Sequence, residues 1–195
     1  MSRFTWEIRA KVIISKTTAS ATDEDVDSSE EFSDLEELSL DQIAKTVIAK
    51  FKGHGMAALV NSILKAQGYT TFISPEGPDK GVDILAGMGP MGFGEPRICV
   101  QVKSGDAPLD RPTLDQLIGT MQNFHATQGL LVSWGGYKNT VDKEKASQFF
   151  RVRLWDQKDL IEQLLKHYDK LDEDLKAELP LKRIWAITTP DSESD

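Results

Sequence analysis

GVDILAGMGPMGFGEPRICVQVKS, residues 81–104, sets two apolar runs on either side of a glycine-rich stretch. The first run carries Asp83 and the second carries Gln101 and Lys103. Charged and amide groups are costly to bury in strands this apolar unless they are paired or have work to do. The runs GVDILAG and RICVQVKS read as strands, with MGPMGFGEP as the hairpin loop between them. Side chains alternate faces along a strand, so Cys99, Gln101 and Lys103 share one side and Ile98, Val100 and Val102 the other. If the two strands pair, Asp83 comes close to Gln101 and Lys103, and the three converge on one polar spot at a sheet edge or end.

The flanking sequence supplies the rest of a sheet and its cover. SLDQIAKTVIAKFKGHGMAALVNSILKAQGY places Ile43, Val47, Ile48 and Phe51, then Leu59, Ile63 and Leu64, at helical spacing. This predicts two helices, or one broken at Lys52-Gly53-His54-Gly55, ending at Gly68. YTTFIS follows as a strand and PEGPDK as a turn. Beyond the hairpin come an amphipathic helix in LDRPTLDQLIGTMQNFHA that begins near Pro112, a buried strand GLLVSW and a Gly-Gly turn. A helix through TVDKEKASQFF, a strand RVRLW and a helix DQKDLIEQLLKHYDKL capped by Asp156 complete the order. That order argues for an α/β fold, one mixed sheet covered by helices on both faces.

The chain has 195 residues, 39% of them apolar and 28% charged, the composition of a soluble globular protein with one sizeable core. No apolar run approaches the roughly 20 residues that span a bilayer, and the N-terminus lacks the order of a secretory signal, so a cytoplasmic protein is expected. The single cysteine, Cys99, excludes an internal disulfide and a multi-cysteine zinc site. A net charge of −8 looks unsuited to nucleic acid, but it is unevenly spread: residues 23–41 hold ten acids and no base, whereas residues 42–190 hold 19 basic and 17 acidic residues. The acidic, serine-rich stretch has the composition of a solvated linker. The expected organisation is an N-terminal segment with this linker at 1–41, a domain at 42–180 and a tail at 181–195. FTWEIRAKVII, ahead of the linker, has the residues for one further strand.

Hydrolysis of a phosphodiester needs a divalent cation to neutralise charge and activate water, and a group that positions the attacking hydroxide. Hard Mg²⁺ prefers carboxylate, carbonyl and phosphate oxygens. Asp83 offers the carboxylate, Gln101 its amide oxygen and Val102 its main-chain carbonyl, while Lys103 can orient water or stabilise developing charge. An acid in a strand, a hairpin and then Gln101-Val102-Lys103 resembles the PD-(D/E)xK nucleases in the glutamine form of the Mrr-type restriction endonucleases. The resemblance covers roughly residues 50–168, because AQGY, GPDKGVDILAG, ICVQVKS, QLIGTMQNF, GLLVSWGGYKNTV and RLWDQKDLIEQLL follow the family's order. It implies a restriction-endonuclease-like mixed sheet, with Asp83, Gln101 and Lys103 catalytic and Asp83, Gln101 and Val102 at a metal site for Mg²⁺, for which Mn²⁺ can substitute. It also implies cleavage of duplex DNA to leave a 5′-phosphate, restriction of foreign or methylated DNA, and a reader module that is missing or shortened here. Two departures from the family pattern stand out: Val82 replaces a proline before Asp83, and FKGHGMAALV lacks the glutamate that the first helix often contributes, leaving His54 as the nearest polar group.

Two other readings keep the fold: a non-catalytic DNA-binding or assembly module, and a structure-specific junction resolvase. Double-strand cleavage points to a homodimer, at least a transient one. Trp134, Lys138, Lys143 and Lys145, with Tyr137, Arg151 and Arg153 nearby, form the expected DNA-contacting patch after the SWGGYKNT turn. Glu76 and Asp79 read as solvated turn acids, GMGPMGFG as a flexible hairpin rather than a nucleotide cradle, and His125 and His167 as ordinary helix residues.

Overall fold

In the helix that follows the expected break at Lys52-Gly53, the large apolar residues Met56, Leu59, Val60, Ile63 and Leu64 are buried and recur at helical spacing along one face. In the computed structural model, which describes residues 28–75 and 81–184, this helix is α2 (His54–Ala66) and the one before it is α1 (Ser28–Phe51). The two are separate helices because the chain turns at Gly53, whose φ of 74° is the left-handed conformation that glycine adopts at no steric cost. Helix α1 begins at Ser28, well before the periodic apolar positions, so the second half of the acidic stretch is helical where sequence composition reads as linker. The chain divides into two units: Thr46–Leu179, and a second made of Met1–Lys45 with Pro180–Asp195. Within the second, the Ser39 hydroxyl donates to the Leu35 carbonyl at 2.7 Å, one turn back along α1. The strand expected in FTWEIRAKVII and the turn carrying Glu76 and Asp79 lie outside the described residues.

The unit Thr46–Leu179 is built on one sheet in the order β1-β2-β3-β4-β5. Strands β1 (Thr70–Ile73), β2 (Ile84–Met88) and β3 (Gly94–Lys103) pair antiparallel, whereas β3, β4 (Gln128–Ser133) and β5 (Val152–Trp155) pair parallel. The sheet is therefore mixed, as the order of elements predicts. The hairpin between β2 and β3 packs tightly at its base: a Cβ on Gly87 would stand 2.0 Å from the Gly92 carbonyl oxygen, and the register shifts between Ala86 and Met88. Only glycine fits there.

Both faces of the sheet are covered. Leu114, Leu117 and Met121 of α3 (Arg111–Asn123) form one buried cluster with Cys99 of β3, Leu131 of β4 and Val152 of β5. Val100 and Val102 point to the opposite face, where α2 packs on β1, β2 and β3. Helix α5 (Gln157–His167) packs against α2 and starts with a capping box in which the Asp156 side chain takes the Asp159 N–H and the Asp159 side chain takes the Asp156 N–H. The expected helix through TVDKEKASQFF is only α4 (Asn139–Asp142), after which the chain proceeds in turns to β5. Its remaining apolar residues cannot hold a helix on the core, since Phe149 and Phe150 are exposed and only Val141 is buried at 0%. A 3₁₀ turn (Tyr168–Lys170) and α6 (Glu173–Glu178) follow α5.

Candidate active site

Asp83 immediately precedes β2, and the register that sets Ile84 opposite Val100 carries it to the C-terminal end of β3. The ladder continues through it in altered form. The Asp83 N–H donates to the Val100 carbonyl at 2.9 Å, and the Val102 N–H donates to the Asp83 carboxylate Oδ2 at 2.6 Å. A side chain has replaced a backbone acceptor, which fixes the carboxylate against the strand. In an extended strand the N–H and C=O of one residue project to the same side, so the Val102 carbonyl faces the Asp83 edge as well. The Lys103 carbonyl faces the other way and accepts the Trp134 N–H at 2.9 Å.

An open cleft of about 620 Å³ lies over this end of the sheet, lined by Asp83 just before β2, by Val102 and Lys103 at the end of β3, by Ser104 just after it, and by Gly53, His54 and Ala57 at the start of α2. Crevices at the carboxyl ends of parallel strands are where α/β sheets commonly place ligands. The structure thus joins Asp83, Val102 and Lys103 in one space. Lys103 is exposed and Asp83 partly so. Gln101 is set back from the lining, 2% exposed, and its Oε1 is buried without a hydrogen-bond partner among the described residues. Cys99, two residues further back on the same face, is fully buried; burial, with the Asp83 charge adding to it, pushes its thiol up to about 12.

The residues expected to meet DNA are less uniform. Trp134 is 8% exposed and belongs to the core. Lys138 pairs with Asp110 at 3.8 Å, Lys145 pairs with Asp142 at 2.8 Å, and Lys143 is exposed. The hydrogen bond that Lys145 donates to the Asp142 carboxylate raises the Lys145 pKa. Such exposed pairs are weak. Tyr137 is structural: its hydroxyl donates toward the Leu131 and Trp155 carbonyls, and burial raises its pKa. Arg153 lies 4.0 Å from the centre of the Phe149 ring. His125 has a φ of 52° at the end of α3, and His167 Nδ1 bonds the Gln163 carbonyl at 2.9 Å, so both serve local structure. Of the cleft residues, Ser104 is marked in the sequence only by adjacency to Lys103, and Ala57 carries no mark.

Residues 48–164 match the Mrr catalytic-domain family, described as restriction endonuclease. The chain belongs to that family. Among solved structures, this restriction endonuclease domain resembles the DNA modification-dependent restriction endonuclease AspBHI, with a TM-score of 0.56 and 13% identity over 73% of this chain and 39% of that one. It also matches MspJI restriction endonuclease in complex with a 27-mer oligonucleotide, with a TM-score of 0.43 and 16% identity over 85% of this chain and 40% of that one. The chain spans about two fifths of the length of each of these proteins. No curated protein matches it by sequence.

Restriction endonuclease domains generally depend on a divalent metal. The donors near the cleft suit a hard cation: one carboxylate in Asp83, the edge-facing carbonyl of Val102 and the unpartnered buried oxygen of Gln101. Among the described residues no group of three or more His, Cys, Asp or Glu side chains gathers as a metal site, so the donor set holds few charges. Among the described residues, no helix is long and apolar enough to cross a membrane.

Proposed function

We propose that the domain is a divalent-metal-dependent endodeoxyribonuclease that hydrolyses duplex DNA, with restriction of foreign or methylated DNA in the cytoplasm as its role. The observation that carries this reading is the cleft in which Asp83, held by the Val102 N–H, shares a lining with Lys103. Asp83, Val102 through its carbonyl and Gln101 through Oε1 would hold Mg²⁺, or Mn²⁺ in its place. Such an ion supplies charge neutralisation at the phosphate and makes water a better nucleophile at neutral pH. Lys103 holds the attacking water and stabilises charge that builds on the phosphoryl oxygens. Water attacks phosphorus, the bond to the 3′-oxygen breaks, and the products carry a 5′-phosphate and a 3′-hydroxyl. Lys138, Lys143 and Lys145 position the backbone of the duplex by exchanging their carboxylate partners for phosphates. Trp134 takes no direct part because of its burial.

Cleavage of both strands calls for two such sites, hence a homodimer on DNA. The modification dependence named for AspBHI, a protein of similar fold, makes methylated DNA the first substrate to try. Incubation with methylated and unmethylated plasmid, with Mg²⁺ or with chelator, tests the reading. We expect metal-dependent conversion to linear or nicked product; intact plasmid under every condition would overturn it.

A further inference from the structure

One wall of the cleft has no role in the chemistry above. Helix α2 contributes Gly53, His54 and Ala57 to the lining that also includes Asp83 and Lys103. His54 is exposed, and Ala57 lies three residues on, so the two share a helix face. Gly53 has no side chain and Ala57 ends in a methyl group, which leaves the imidazole as the side chain through which this wall can make a polar contact.

Its position is set by a cross-link to the catalytic strand. The Gly53 N–H donates to the Ser104 hydroxyl at 2.8 Å. His54 follows one partner of that bond and Lys103 precedes the other, so the bond ties the two basic residues to one junction. The left-handed φ of 74° at Gly53 lets the chain leave α1, meet Ser104 and start α2 at His54. Set against the carboxylate of Asp83, the lining carries the ammonium of Lys103 and the N–H of His54. Donors outnumber acids there, an arrangement suited to an anion with several oxygens.

We propose that His54 is a phosphate-contact residue, its ring N–H donating to an oxygen of the DNA phosphodiester that lies against Asp83 and Lys103. The inference rests on the nuclease reading above. It places the α2 wall on the substrate.

The full chain has three histidines, so their ring resonances can be followed individually by NMR while a short DNA duplex is added with Ca²⁺ in place of Mg²⁺. His54→Gln identifies the signal, and fluorescence anisotropy reports duplex binding in the same samples. We expect the His54 resonance to move as duplex binds while those of His125 and His167 stay. His54→Ala should slow single-turnover cleavage by about 10²-fold, the usual loss for one positioned donor, and His54→Gln should recover part of that rate. The thermal midpoint of both variants should match wild type, since the side chain is exposed. A stationary His54 signal with duplex bound, or His54→Ala cleaving at the wild-type rate, overturns the assignment and leaves the nuclease reading intact. Absence of both duplex binding and cleavage in wild type overturns both.

Discussion

Lys103 is exposed, at the end of β3, and lines the cleft beside Asp83, so its removal should touch chemistry and little else. We expect Lys103→Ala to lower cleavage by 10²- to 10⁴-fold, roughly the range for a positioned catalytic group, with unchanged circular dichroism and near-normal DNA affinity. Gln101 poses a subtler question, because its oxygen is buried and has no hydrogen-bond partner among the described residues, and an amide binds a cation less well than a carboxylate. Gln101→Glu should bind Mn²⁺ more tightly in the absence of DNA, by about a kcal/mol or more for an added charge near the ion, and Gln101→Leu should lose that affinity. Isothermal titration reads both; equal affinity in all three proteins would make Gln101 a strand residue only. Cys99 behaves as the reverse of a reactive thiol. Burial holds its pKa at about 12, above the ordinary thiol value near 8.5, so the folded state keeps a proton that the unfolded chain gives up. The contribution to stability is full below pH ~8.5 and is lost as pH rises from there through the folded value. Native protein should resist thiol reagents at pH ~8.5 and react once urea unfolds it; rapid native labelling would contradict the burial.

The elements hold these residues through a few close approaches. The β2–β3 hairpin sets the register that brings Asp83 to the end of β3, and its base closes because Gly87 lies directly against the Gly92 carbonyl. A methyl group at Gly87 has no room, and backbone cannot yield as a flexible side chain would. Gly87→Ala should therefore destabilise the fold by about 1–3 kcal/mol, as overpacking does, measured by urea denaturation with the m-value unchanged. Wild-type stability would mean that the hairpin opens at little cost. A quieter element is the run of turns after α4. It reads as helix in sequence, but Phe149 and Phe150 pack on each other, ring centres 5.1 Å apart, rather than on the sheet.

For the whole molecule, charge is the property that sequence position alone partitions. Residues 20–38 carry nine acids and no base, so their deletion takes the net charge from −8 to +1. Nonspecific binding to DNA is driven by phosphate neutralisation, and a strongly acidic segment opposes it over about one Debye length. Removing residues 20–38 should tighten nonspecific DNA binding in low salt, and the gain should shrink as salt is raised. Unchanged gel-shift affinity at low salt would show that these acids do not compete with phosphate for the protein.

Much of this was legible in the chain because its signals are local. The period of α2 and α3, the cap at Asp156, the glycine break before His54 and the two apolar runs around the hairpin each follow from side-chain sequence and chain geometry over a few residues. The mixed sheet follows from the order of those elements, and the meeting of Asp83 with Lys103 from the hairpin's parity. What sequence could not supply depends on which surfaces meet. Trp134, an attractive DNA contact by residue type, is buried where the chain leaves the interior strand β4, its N–H bonded to the Lys103 carbonyl. The TVDKEKASQFF helix failed because local propensity had no core to bury it in. The bond between Gly53 and Ser104 joins residues 51 positions apart, so the place of His54 in one cleft with Lys103 is a property of tertiary packing and leaves no mark on either segment by itself.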